Sequence, residues 1–374
     1  MKRILLSFLA LATLTACHQP ADPEAIRALD SICSALFSSD EPGAAVLVMK
    51  GDSVLFDKGY GLADLGTQAT IDGNTFFNIA SVSKQFTAVA ILQLAEEGLL
   101  SLNDAVAQFF PFPYAFWKEV RIKHLLSHCS GVPDLRGDMP LEAKRYATDS
   151  TALSYLPKVN ELHFSPGSCY EYMNPTYVLL GALVEQRSEQ PFSTYMQEHI
   201  FAPAGMHAFY FADSIPALGT SAECPFPLAH AYDYDTPHKW YEYDYGEETF
   251  FATRPDGGIY TSTHEFVKWE QALRNHKVLT EESLLKAWSP QIRVTSSEWS
   301  DYQNRPNTWY GLGWFIEPPT DSTKTVIYHT GDNGGFQILA ARYPEDNALV
   351  LVFSNRSDWD RYALMQQIEH LFDF

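Results

Sequence analysis

Strand-forming segments sit at the two ends of this chain and helix-forming segments fill its middle. That order leaves few ways to bury the apolar faces of both. Near the start, residues 44–49 form a continuous apolar run, Lys50-Gly51-Asp52-Ser53 reads as a turn, and residues 54–60 follow as a second run. Two such runs joined by a short polar turn predict a hairpin. Near the end, residues 310–316, 325–329, 336–343 and 349–354 read as further strands, with Pro344-Glu345-Asp346-Asn347 as a turn. Helical periodicity marks residues 24–37, 82–99, 121–127, 177–188, 263–273 and 362–374, and Gly98 suits a C-cap. The stretch 82–99 reads as amphipathic, with Phe86, Val89, Ala90, Leu92, Leu94 and Ala95 recurring at helical spacing. The expected class is α+β: an antiparallel sheet built from both chain ends, flanked by terminal helices, with an inserted all-helical subdomain. The α/β part covers about residues 25–98 and 250–374 and the insert about 99–249. The groove between the two parts is the natural ligand site.

With 374 residues, 46% hydrophobic and 19% charged, the chain can bury a sizeable core and is neither disordered nor collagen-like. Its net charge of −20 argues against nucleic-acid partners and against electrostatic docking on anionic lipid. The N-terminus carries an address. Lys2 and Arg3 precede an apolar run over residues 4–14, too short for a permanent membrane span, and Leu14-Thr15-Ala16-Cys17 follows. Residues 1–16 are expected to be a signal peptide and 17–24 a short tether. Cys33, Cys129, Cys169 and Cys224 match no zinc spacing. They are expected to be mostly buried thiols, with one bridge open.

Three short motifs carry the chemistry. Ser81-Val82-Ser83-Lys84 lies at a helix start, where positions i and i+3 share a face. Lys84 could therefore take the proton of Ser81. Alone, the same spacing also fits a helix cap followed by a solvated lysine. Tyr172-Met173-Asn174 offers a proton-handling phenol and a side-chain amide; it also fits a turn tyrosine with an Asn cap. His329-Thr330-Gly331 ends a strand, and its glycine would let a substrate approach the backbone. Asp332 and Glu171 read as loop acids. His124-Leu125-Leu126-Ser127-His128 lacks the glutamate of a zinc-protease helix and reads as a packing and hydrogen-bonding element. No metal and no cofactor are expected.

The three motifs in this order resemble the serine β-lactamase and penicillin-binding-protein superfamily, in particular its class C β-lactamase-like group. Further stretches agree, among them residues 78–87, 122–128, Ser130-Gly131-Val132-Pro133-Asp134 and Tyr310-Gly311-Leu312-Gly313-Trp314. The resemblance runs from about residue 30 to the C-terminus. It implies a β-lactamase/transpeptidase-like fold and a serine hydrolase that works through an acyl-enzyme. Ser81 would be the nucleophile, with Lys84 and Tyr172 sharing the acid–base role. Asn174, His329, Thr330 and Gly331 would bind substrate. The backbone N–H groups of Ser81 and Asp332 would form the oxyanion hole. Where class C enzymes usually carry lysine, this chain has His329, whose charge would vary between about pH 5 and 8. That implies weaker selection for carboxylate-bearing β-lactams and a lean towards esterase or peptidase activity. The Leu-x-Ala-Cys ending resembles the bacterial lipoprotein box. It implies lipidation of Cys17 and a cell-envelope protein facing the periplasm, on the outer membrane in preference to the inner, with the lipid as its one membrane contact. Candidate substrates are small molecules or short peptides: D-amino-acid peptides, small esters or amides, and β-lactams. The competing expectation is a catalytically silent protein that binds cell-wall fragments in the same cleft. Composition and motifs leave oligomeric state open.

Overall fold

The first and last strands of the chain lie side by side in one sheet. In the computed structural model, which describes residues 22–135, 139–140, 147–210, 225–235, 239–242, 253–295 and 305–374, β1 (Ala44–Lys50) pairs antiparallel with both β2 (Ser53–Tyr60) and the last strand, β8 (Ala348–Ser354). Val46 lies opposite Val352 and Leu47 opposite Leu351. The remaining strands are β3 (Ile292–Arg293), β4 (Trp309–Tyr310), β5 (Phe315–Glu317), β6 (Val326–Asn333) and β7 (Phe336–Tyr343). Spatial order is β3-β4-β5-β6-β7-β8-β1-β2, antiparallel throughout. Every residue of β7 and β8 is buried, and β1 exposes only Lys50. These strands are covered on both faces, which is why they read as continuous apolar runs rather than alternation.

One face packs under the terminal helices α1 (Pro23–Leu36) and α6 (Arg361–Phe372), through Val46, Val48, Leu339, Val350 and Val352 against Leu29, Cys33, Leu364 and Ile368. Both helices start on an aspartate cap: Asp22 accepts from the Glu24 N–H, and Asp360 from the N–H groups of Tyr362 and Ala363. The other face carries Leu47, Met49, Ile338, Ala340 and Leu351 into the core shared with α2 (Lys84–Glu96), α3 (Ile122–Leu126), α4 (Asn174–Ser188) and α5 (Thr263–Arg274).

Three local readings change. Helix α2 is not amphipathic: every residue from Lys84 to Leu92 is buried. It is enclosed by sheet and helices, and a helix buried all round keeps no solvent face. Gly98 does end it, at φ +72°, with the Leu99 N–H returning to the Leu94 carbonyl. The middle of the chain is not wholly helical. A hairpin of Tyr232–Asp235 and Lys239–Glu242 lies there, and Phe209–Tyr210 joins Phe77–Asn78 and Ile259–Thr261 in a small sheet. These strands are too short to show periodicity. The segment 310–316 is two strands rather than one, because Gly311 to Trp314 turns between β4 and β5.

Cys33 and Cys129 are buried free thiols; Cys169 is also free but exposed. Cys17, the residues 1–16 expected to form a signal peptide, and Cys224 lie outside the described residues. Among those residues no helix is long and apolar enough to cross a membrane, and no group of acidic, His or Cys side chains could hold a metal ion.

Candidate active site

A 3₁₀ turn, Ala80–Ser83, delivers the chain into α2. Ala80 has φ +46°, a left-handed conformation that non-glycine residues rarely adopt. The turn is held by Asn78, whose buried side-chain oxygen accepts the Ala80 N–H at 2.8 Å. Ser81 is half-buried at the mouth and Lys84, one turn on, is fully buried. The Lys84 ammonium has three N–H donors and no acceptor. It donates to Ser81 Oγ at 3.0 Å, to Asn174 Oδ1 at 2.7 Å and to the Asp256 carbonyl at 2.7 Å. Its Nζ also lies 4.9 Å from the centre of the Tyr172 ring and 5.6 Å from that of Tyr177.

Tyr172 comes from the segment leading into α4, and its phenol lies beside the Ser81 hydroxyl. Burial pushes this phenol well above its usual pKa, with the Ser81 hydroxyl pulling the other way. An alcohol, an amine and a phenol from residues 81, 84 and 172 therefore converge. Strand β6 closes the other side. A Cβ on Gly331 would stand 2.5 Å from the Ile79 carbonyl oxygen and 3.1 Å from the Ser81 nitrogen. Only glycine lets this strand approach the Ser81 N–H so closely.

The family model described as Beta-lactamase matches residues 26–371. The chain belongs to the Beta-lactamase family. It is 28% identical over 357 residues to penicillin-binding protein 4* of Bacillus subtilis, covering 92% of this chain and 75% of that one. It is 26% identical over 320 residues to Protein flp of Staphylococcus aureus, covering 84% of this chain but only 59% of that protein. In fold it is similar to the D-amino acid amidase of Ochrobactrum anthropi complexed with L-phenylalanine amide: TM-score 0.74, 19% identity, 94% of this chain and 98% of that one.

The third motif of this Beta-lactamase family member departs from the sequence expectation. His329 is buried, not poised at the cleft surface. Its Nδ1–H donates to the Thr330 carbonyl at 2.6 Å and its Nε2 accepts from the Tyr310 hydroxyl at 2.9 Å. That pairing uses the one donor and one acceptor of a neutral imidazole. Burial, then the nearby positive charge of Lys84, pushes its pKa down to about 3. The expected charge change between pH 5 and 8 is thereby overturned: His329 stays neutral there. The consequence is one for stability. An unfolded histidine protonates near its ordinary 6.5, the folded one near 3, so the unfolded state binds more protons in between. Stability is complete above about pH 6.5 and falls as pH drops, with a limiting slope of about 1.4 kcal/mol per pH unit from this group. Urea unfolding at pH 7, 6, 5 and 4 measures it; His329→Gln should flatten the slope, and an unchanged slope contradicts the assignment.

Asn174 opens α4, and Lys84 already occupies its side-chain oxygen, so its amide N–H₂ is the part left to meet a ligand. Thr330 and Asp332 alternate with Gly331 along β6 and point to the α6 side, where Arg361 pairs with Asp332. His124 and His128 do serve packing and hydrogen bonding: His124 Nδ1 accepts the Arg121 N–H at 3.2 Å and His128 Nδ1 the Met173 N–H at 3.1 Å. Several contributors escape sequence reasoning. Asp256 acts through its backbone carbonyl, and the only local sign is the turn Pro255-Asp256-Gly257-Gly258. His128, at φ +53° and with its ring centre 4.2 Å from that of Tyr172 at a 34° tilt, packs against that tyrosine. Tyr310 holds His329 from the Tyr-Gly-Leu-Gly-Trp stretch.

Proposed function

We propose that this protein is a serine hydrolase that cleaves ester and amide bonds through an acyl-enzyme on Ser81. The Lys84 Nζ to Ser81 Oγ contact of 3.0 Å carries this reading, because it gives the hydroxyl proton a direct destination. Ser81 Oγ attacks the substrate carbonyl carbon as its proton passes to Lys84 in its neutral amine form. The oxyanion that develops is met by the backbone N–H groups of Ser81 and Asp332. Tyr172, kept a neutral phenol by burial, gives its proton to the departing oxygen or nitrogen. The Lys84 ammonium then restores the phenol. Water, activated by the same pair, attacks the acyl carbonyl and releases the acid and free Ser81. The Asn174 amide N–H₂ orients a carbonyl oxygen on the acyl side, and Gly331 gives that chain room beside β6.

The substrate range extends to D-amino-acid peptides and amides, small esters and β-lactams. Membership of the Beta-lactamase family and likeness in fold to a D-amino acid amidase support it. A catalytically silent binding protein would have no need to hold Lys84 on Ser81 in a dry pocket. Incubation with a fluorophosphonate, followed by peptide mapping, should place the label on Ser81, and Ser81→Ala should lose both label and small-ester hydrolysis. Ester hydrolysis surviving in Ser81→Ala would refute the reading.

A further inference from the structure

One anchor of the reactive amine lies outside the three motifs. The Asp256 carbonyl that accepts from Lys84 at 2.7 Å belongs to residues 253–258, which lead into the strand Ile259–Thr261. The Arg254 carbonyl accepts the Gly258 N–H at 3.2 Å and closes the turn around Asp256. Pro255 rests on α4 at Gly181, where a Cβ would stand 2.2 Å from the proline Cγ. The Thr87 hydroxyl, from α2, donates to the Pro255 carbonyl at 2.7 Å, and the Ile259 N–H donates to Ser83 Oγ at 3.2 Å.

The remaining hold on this turn comes from far along the chain. Asp149 opens the short helix Asp149–Leu153 and grips Arg254 twice. Its Oδ1 accepts the Arg254 backbone N–H at 2.8 Å, and its Oδ2 accepts from the guanidinium Nη1 at 2.8 Å. The first of these bonds fixes the peptide itself, two residues before the carbonyl that meets Lys84. Both side chains are partly buried, so solvent screens the pair only in part. A lysine amine sits at the end of a flexible four-carbon stem, so its position is only as fixed as the acceptors around it.

We propose that Asp149 is a positioning residue for acyl transfer: by clamping Arg254 it sets the Asp256 carbonyl against Lys84 and so keeps the amine on Ser81. This rests on the acyl-enzyme reading of Ser81 and adds to it a group that acts through Lys84.

The rate at which a fluorophosphonate labels Ser81 in the full-length protein reports the amine. It is measured at pH 8, where the Asp149 carboxyl, pushed up to about 6 by burial, is ionised. Asp149→Ala should slow labelling by roughly 10- to 10²-fold, the cost of a misplacement of up to about 1 Å. It should also lower kcat for a small ester more than it changes KM. Asp149→Asn keeps an acceptor for the Arg254 N–H and should recover part of the rate. Arg254→Met cuts the clamp at its other end and should repeat the loss, which keeps the test open if Asp149→Ala does not fold. In Lys84→Met protein, whose slow residual labelling is followed over hours, adding either substitution should change nothing further. Equal slowing in the two backgrounds would show a general loosening of the fold and overturn the inference, as would unchanged rates for both clamp variants. A wild type that takes no label overturns the underlying acyl-enzyme reading instead.

Discussion

Replacing Lys84 by Met is expected to lower kcat/KM on a small acyl ester by about 10³-fold, within the range that positioned acid–base groups contribute. The side chain keeps its length and loses its donors, so Ser81 Oγ faces a thioether instead of an amine at 3.0 Å. The hydroxyl then has no neighbour on that side able to take its proton, and Tyr172, kept protonated by burial, does not substitute. Arginine should not rescue activity, because a guanidinium does not give up its proton in a protein. Lys84→Met also leaves the Asn174 oxygen and the Asp256 carbonyl without this donor, while it removes a buried charge. Those effects on stability oppose one another. Kinetics are therefore read on protein whose near-UV circular dichroism matches wild type. Activity within tenfold of wild type would show that the proton leaves Ser81 by another route.

The largest effect on stability is expected from Glu270. Its side chain and that of Arg342 are each only 2% exposed, in direct contact between α5 and β7. Arg274 Nε donates to the other Glu270 oxygen at 2.9 Å. Arg342 also donates to Gln85 Oε1 at 2.8 Å, and Trp269 Nε1 to the same oxygen at 3.0 Å. Gln85 follows Lys84, so the network braces the helix that carries the amine. Glu270→Ala strands the Arg342 guanidinium among apolar side chains, and breaking such a buried pair costs about 3–5 kcal/mol. Urea or thermal unfolding should report that loss. Replacing both partners together, Glu270→Leu with Arg342→Met, should recover most of it, since the charge that needed a partner is gone. Equal losses in the single and double variants would show that packing, not charge, dominates this site.

Much of the fold is legible because its strands are extreme. The runs at 44–49 and 336–343 are apolar without interruption, and a chain with such runs at both ends joins them in one sheet. The terminal helices announce themselves by period and cap. The hairpin at Tyr232–Glu242 does not: four-residue strands rich in Tyr and Asp carry no readable alternation, and their pairing comes from each other. The burial of α2 is equally hidden. Gln85 and Thr87 look like solvent positions, yet Arg342 and the Pro255 carbonyl receive them inside the core.

At the site, sequence alone determined which chemical groups are available and that Ser81 and Lys84 share a helical face, because spacing within one turn is a local property. It also placed a glycine at 331, where a side chain would strike Ile79. Only tertiary structure decided that His329 is neutral, that the Asp256 carbonyl holds Lys84, and that Asp332 pairs with Arg361 on the α6 side of the sheet. Charge state and orientation depend on desolvation and on partners distant along the chain. Those are fixed when the sheet, α2 and α4 close around the same few ångströms.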